Sequence, residues 1–181
     1  MKKLIRAMLM AIMAFCFAIP VFGCAEAATV AVLPLVNKTD NETAGQIYYQ
    51  QTLNTFKAKP GFVVVDNDKL KAAIAANTAA GQLPSESQMA AIAKDGDVDF
   101  VICMELDVLE DTMIPGTNED VLKMDLQGNA IAYNKITGKV ITRRLYSDKE
   151  VPQAVTARWD WKSEEFARQV RLTLDKVLNT K

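Results

Sequence analysis

Three acidic residues stand where two neighbouring strands could bring them together. Glu105 and Asp107 lie two apart in the run V-D-F-V-I-C-M-E-L-D-V-L-E at 98–110, so an extended chain puts both carboxylates on one face. Asp125, in the next apolar segment, could approach them. Carboxylates gathered in this way can hold a cation through oxygen, or act as acid and base. The same pattern also describes the wet face of a half-covered sheet, with Lys123 and Arg144 as neutralising neighbours. That second reading is the commoner one.

Nothing else in the chain points to catalysis. There is no histidine, which removes the commonest general base and the commonest metal ligand together. No G-x-S-x-G, no phosphate-binding loop and no cysteine-rich metal spacing occurs. Of the three cysteines, Cys16 and Cys24 sit in the N-terminal segment, which leaves Cys103 without an intrachain partner. Its apolar strand suits a small buried residue. The expectation is a non-enzyme without cofactor or dedicated metal.

Two other groups have the composition of contact surfaces. Arg158-Trp159-Asp160-Trp161 combines the residue types that dominate protein-binding hot spots. An extended backbone would place Trp159 and Trp161 on one side, and the competing reading has them cover the sheet's end. Met113 and Ile114, in a loop expected over Asp111–Asp120, are either presented to a partner or tucked in.

The elements that must position these residues follow from periodicity and turn chemistry. Thr29–Leu35 predicts a first strand covered on both faces, and Asn37–Asn41 a polar turn able to cap a helix. Glu42–Lys59 predicts that helix, with Gly45, Tyr49, Thr52, Leu53 and Phe56 on the inward stripe and Pro60-Gly61 as its stop. Phe62–Val65 is a second strand. Asp66-Asn67-Asp68 caps a helix through Asn77 with Leu70, Ala73 and Ile74 inward. Ser85 with Gln88 forms a capping box for a helix over Glu86–Asp95, which Gly96 ends.

Val98–Glu110 then reads as the central strand. Phe100, Ile102 and Met104 face one way, Val101 and Cys103 the other, and Leu106 and Val108 continue the apolar side. Val121–Asn134 and Lys139–Val151 form a hairpin with one wet face, and Ser163–Leu178 predicts a last helix. Strands joined through helices lie parallel by right-handed crossover, and the hairpin adds at one edge. The fold class is therefore α/β (α+β): one domain over 28–181 with a five-stranded mixed sheet in the order 2-1-3-4-5.

Residues 1–27 are set apart. Lys2, Lys3 and Arg6 precede an apolar run from Ala7 to Ile19, and Ala25-Glu26-Ala27 makes an A-x-A site that would cleave between Ala27 and Ala28. This is the pattern of a secretory signal peptide, and its apolar run is short for a membrane span. Val21-Phe22-Gly23-Cys24 offers an alternative ending, a lipobox with Cys24 lipidated. Soluble release is favoured, because Phe22 is bulky for a lipobox and the tether after Cys24 would be very short. Removing three cations and one anion moves the formal charge from −1 to −3, and nothing in the sequence suggests the basic face that nucleic acid requires.

Three runs carry a family resemblance: V-A-V-L-P-L-V-N-K-T at 30–39, F-V-V-V-D-N-D-K-L at 62–70 and G-D-V-D-F-V-I-C-M-E-L at 96–106. Together, over about residues 29–110, they resemble bacterial envelope proteins of the CsgG, TolB N-terminal and LpoB type. Cys103-Met104 departs from the glycine usual in that third strand. The chain also lacks the long hairpins of a channel, a following propeller and a long N-terminal tether. The resemblance implies periplasmic or outer-membrane-associated proteins that act by binding other proteins. It carries over no functional residue, because its motifs specify a fold better than an activity.

These observations lead to an exported envelope protein, a protein-binding or assembly module. Its expected partner is another envelope protein or itself, with membrane contact only through the signal peptide or a lipid on Cys24. The alternative is a periplasmic small-ligand or cation-binding protein using Glu105, Asp107 and Asp125.

Overall fold

A computed structural model describes residues 27–116 and 120–152, together with Ala167, Arg168, Arg171 and Leu172. Of Asp111, Lys149, Val151 and Pro152 it describes the backbone alone. Among the described residues the helices with defined bounds are α1 (Glu42–Lys57), α2 (Asp68–Asn77) and α3 (Glu86–Asp95). The strands are β1 (Ala28–Val32), β2 (Val36–Asn37), β3 (Phe62–Val64), β4 (Phe100–Ile114), β5 (Val121–Asn134) and β6 (Lys139–Pro152). Ala167, Arg168, Arg171 and Leu172 are helical as well, which agrees with the last helix where it is described.

The sheet runs β3-β1-β4-β5-β6, with β2 also paired to β4. In its main path this is the expected order, parallel through β3, β1 and β4 and antiparallel from β5 onward. It has one strand more than expected. Thr29–Leu35 is not continuous: β1 ends at Val32, Leu33 donates to the carbonyl of Ile102 at 2.8 Å, and β2 resumes only at Val36. Pro34 sits in the break, where it has no N–H to give to a ladder.

Caps hold the helix starts as the sequence requires. The side chain of Asn41 accepts from the amide of Ala44, and that of Asn67 from the amide of Leu70. At α3 the capping box is complete, with Ser85 N–H donating to Gln88 Oε1 at 2.8 Å and Gln88 N–H to Ser85 Oγ at 3.3 Å. The β5–β6 hairpin closes on Asn134, whose side chain accepts from Ile136 and Thr137, and Gly138 takes the left-handed conformation there (φ 64°).

The core has two layers. On one face of the sheet α1 packs Ala44, Tyr48 and Phe56 against Val30, Val32, Ile102, Met104, Leu106, Met124, Leu126 and Leu145. On the other face α2 and α3 bring Leu70, Met89, Ile92 and Ala93 against Ala31, Leu33, Val101 and Cys103. β4 is covered on both sides over its first half, as expected of the middle strand. Each large side chain buried here contributes about 1.5–3 kcal/mol.

The stripe of α1 differs from its expected one by one position. Tyr48 and Ala44 are buried in place of Tyr49 and Gly45, while Tyr49 and Leu53 pack only partly against the core. Both tyrosines are amphipathic and adjacent, so periodicity alone left the choice to the packing surface. Burial pushes the Tyr48 phenol up to about 12.

Candidate functional site

β4 changes character at Glu105, where the helices of the second layer no longer cover it. Glu105 is buried, at 3% exposure, and it is not solvated as a wet-face carboxylate would be. One of its oxygens, Oε1, meets the Lys38 ammonium, and the other, Oε2, accepts from Asn129 Nδ2 at 2.8 Å. Asp107 shares both partners, at 3.3 Å from Lys38 Nζ and 3.3 Å from Asn129 Nδ2. Lys38 follows directly on β2, whose pairing to Glu105 and Leu106 brings it there. The two carboxylates hold the Lys38 ammonium above its ordinary value, Glu105 through the stronger hydrogen bond.

This cluster is closed. A lysine occupies the place between Glu105 and Asp107 that a bound cation would need, and an ammonium already satisfies the buried charge. Asp125 does not join it. The register sets Asp125 opposite Glu110, four positions along β5 from Asn129, and its carboxylate accepts from Gln127 Nε2 at 3.1 and 3.2 Å. An open cleft of about 710 Å³ lies beside Asp107, lined also by Asp40, Glu42 and Glu110. Among the described residues no three acidic or cysteine side chains converge as metal ligands would.

Beside the cluster β4 is interrupted by a β-bulge between Leu106 and Val108. One extra residue reverses the facing of everything after it. Leu109 therefore joins the α1-side core, whereas Val108, expected beside Leu106, pairs with Gln127 on the opposite face. The sequence does carry a signal for this. Gly128, inside a strand pattern and opposite Leu106, marks a close backbone approach.

Met113 and Ile114 are not in a loop. β4 continues to Ile114, and the two residues pair with Leu122 and Val121. Strict alternation turns them to opposite faces, so they do not form one joint patch. Each is exposed, Met113 at 46% and Ile114 at 37%. The polar residues of Asp111–Asp120 suggested a loop, but antiparallel pairing with β5 extends through Asp111–Ile114.

Beyond Ile131 and Tyr133, which pack against the second-layer core, the same face of β5 and β6 carries a feature that the sequence reading passed over. Arg144 and Tyr146, two apart on β6, point to the same side, with the guanidinium 5.4 Å from the ring centroid. Arg144 also donates to Gln127 Oε1 at 2.7 Å, and Tyr146 O–H reaches Asp148 Oδ2 at 3.4 Å. Tyr146 remains 48% exposed. The result is an exposed polar and aromatic surface on two long strands. Arg158, Trp159 and Trp161 lie outside the described residues, as does Cys24.

Cys103 is buried and free, as its apolar strand implied. Burial first, and then the charge of Glu105, push its thiol up to about 12. No helix among the described residues is long and apolar enough to cross a membrane.

No family model and no curated protein matches this sequence. Solved structures do. The LpoB C-terminal domain from Salmonella enterica is similar at 14% identity and a TM-score of 0.45, over 71% of this chain and 87% of that one. A PelC dodecamer from Paraburkholderia phytofirmans is similar at 13% identity and a TM-score of 0.47, over 82% and 87%. The lipoprotein GNA1162 from Neisseria meningitidis is similar at 11% identity and a TM-score of 0.46, over 84% and 98%. LpoB is thus among the similar structures as well as in the resemblance drawn from the sequence. At these identities, function must come from this chain's own residues.

Proposed function

We propose that this chain is an exported, non-enzymatic envelope module that binds another protein through the exposed part of the β5–β6 face around Arg144 and Tyr146. The observation that carries the reading is the Arg144–Tyr146 pair, stacked on β6 and tied by Arg144 to Gln127 of β5 yet exposed. Arginine and tyrosine are enriched where protein interfaces concentrate their energy, and a pre-ordered pair loses little side-chain freedom on binding. Gln127, Asp125 and Lys123 on β5 supply the polar surround. Arg158, Trp159 and Trp161 belong to the same proposal on composition alone. Export rests on residues 1–27, with cleavage before Ala28 preferred over a lipid on Cys24.

A photo-crosslinking residue at Tyr146 tests the reading. Tyr146→p-benzoylphenylalanine should give a discrete adduct with an envelope protein, and Arg144→Glu should remove it. The same substitution at Asn54, exposed on α1, is the control. Adduct yields no higher at Tyr146 than at Asn54 would reject the docking face. An adduct of twice the chain's own mass would identify self-association.

The cation-binding alternative retains one favourable observation, the acidic cleft beside Asp107. Calorimetric titration with calcium separates it from the first reading. Heat of binding that Asp107→Asn abolishes would support it. No heat at millimolar calcium would leave the cleft as a solvated surface.

A further inference from the structure

β1 and β3 are neighbours and parallel, yet the chain leaves them on opposite sides of the sheet. After β1 it continues along β4 as β2 and then passes to α1 on one face, and after β3 it passes to α2 on the other. Where adjacent strands diverge in this way, the space beyond their C-terminal ends cannot be filled by either connection, and open α/β sheets place ligands there.

In this protein that space is a crevice of about 420 Å³, within the roughly 300–1,000 Å³ usual for small-molecule sites. Val32 and Val64 form its floor at the strand ends, with Leu53 of α1 and Ile74 of α2 as walls. The lining is largely apolar, and the polar groups collect at the rim. Three of them are already engaged. Lys71 Nζ is 3.0 Å from Asp66 Oδ1, and the Tyr49 hydroxyl donates to the Val32 carbonyl at 3.3 Å. Lys57, in the last turn of α1, also lines the crevice and has no ion pair among the described residues. With Asp66 offset by Lys71, the described rim residues carry one positive charge in excess.

We propose that this crevice binds a small carboxylate amphiphile, its hydrocarbon between α1 and α2 and its carboxylate at Lys57. An apolar channel supplies the area-dependent part of binding, and one exposed lysine sets the sign of the head group. The site lies at the β1–β3 end of the sheet, away from the β5–β6 face, so each proposal can fail without the other.

Decanoate, decanol and decyltrimethylammonium are suitable probes, followed by amide shifts in the purified protein. Decanoate should shift the amides of Leu53, Val64 and Ile74. Lys57→Glu should weaken decanoate about tenfold while leaving decanol unchanged, as expected for reversal of a single charge at the rim. Ala75→Trp, which places a large ring at the exposed mouth, should block both ligands without changing Tm. Absence of shifts with millimolar decanoate would overturn the proposal. So would equal binding of decyltrimethylammonium, or indifference to both substitutions.

Discussion

Gly128 on β5 lies directly against the backbone of Glu105, so a Cβ added there would run into the Glu105 carbonyl oxygen and stand 3.3 Å from Leu106 Cα. The bulge at Asp107 depends on this approach, because the two central strands can close only where one has no side chain. Gly128→Ala should push β4 and β5 apart at a cost of about 1–3 kcal/mol, the usual range for overpacking. Urea denaturation should show a lower midpoint with an unchanged slope. A change below about 0.5 kcal/mol would mean that the strands separate freely at this point.

Lys38 neutralises a buried carboxylate, so its removal should cost more than removal of the pair. Lys38→Met would leave Glu105 with Asn129 alone, at about 1–3 kcal/mol for a polar group deprived of its partner. The double variant Lys38→Met, Glu105→Gln should recover part of that loss. A double-mutant cycle measures the coupling directly. Additive single effects would show that Lys38 and Glu105 do not interact in solution.

Three groups share one alkaline dependence. Burial pushes Tyr48 and Cys103 up to about 12, from ordinary values of 10.0 and 9.0. The hydrogen bond to Glu105, and then the one to Asp107, hold Lys38 above 10.5. In each case the folded chain keeps its proton to higher pH than the unfolded chain does. Stability should therefore be fully present below pH 9 and decline as pH rises toward 12. Cys103→Ala should make the decline shallower from its onset. A melting temperature flat across this range would contradict the buried positions of both groups.

Ile102 and Val108 test the two halves of β4. Ile102 is fully buried between β1 and β5, so Ile102→Asp should cost several kcal/mol, on the order of an unpaired buried charge, and prevent folding. Val108 is partly exposed beyond the bulge, and Val108→Asp should give a soluble protein of reduced stability. Circular dichroism of both variants is sufficient. Equal tolerance would place Ile102 at an edge.

Expression in a bacterial host should yield a processed chain. Intact-mass analysis is expected to place the mature N-terminus at Ala28, where β1 begins. A chain retaining residues 1–27 would end the export reading, and a lipid on Cys24 would change the processing route.

Local chemistry made much of this protein legible from its residues. Ser85 with Gln88, Asn67 and the Lys135–Gly138 turn are each specified within a few positions, because caps and tight turns are satisfied by near neighbours. The alternation of Phe100–Met104 against Val101 and Cys103 marked the middle strand for the same reason, and handedness then ordered the sheet.

What only the tertiary structure decided depends on partners distant in the chain. Whether Tyr48 or Tyr49 turned inward was settled by the surface α1 met. Lys38 reaches Glu105 across 67 positions because β2 pairs with β4, and no periodicity encodes that meeting. The bulge moved Val108, while the register kept Asp125 away from Glu105, since facing in a strand depends on the count of residues after the last irregularity. The crevice between β1 and β3 is likewise a property of two chain paths diverging, and no single stretch of sequence contains it.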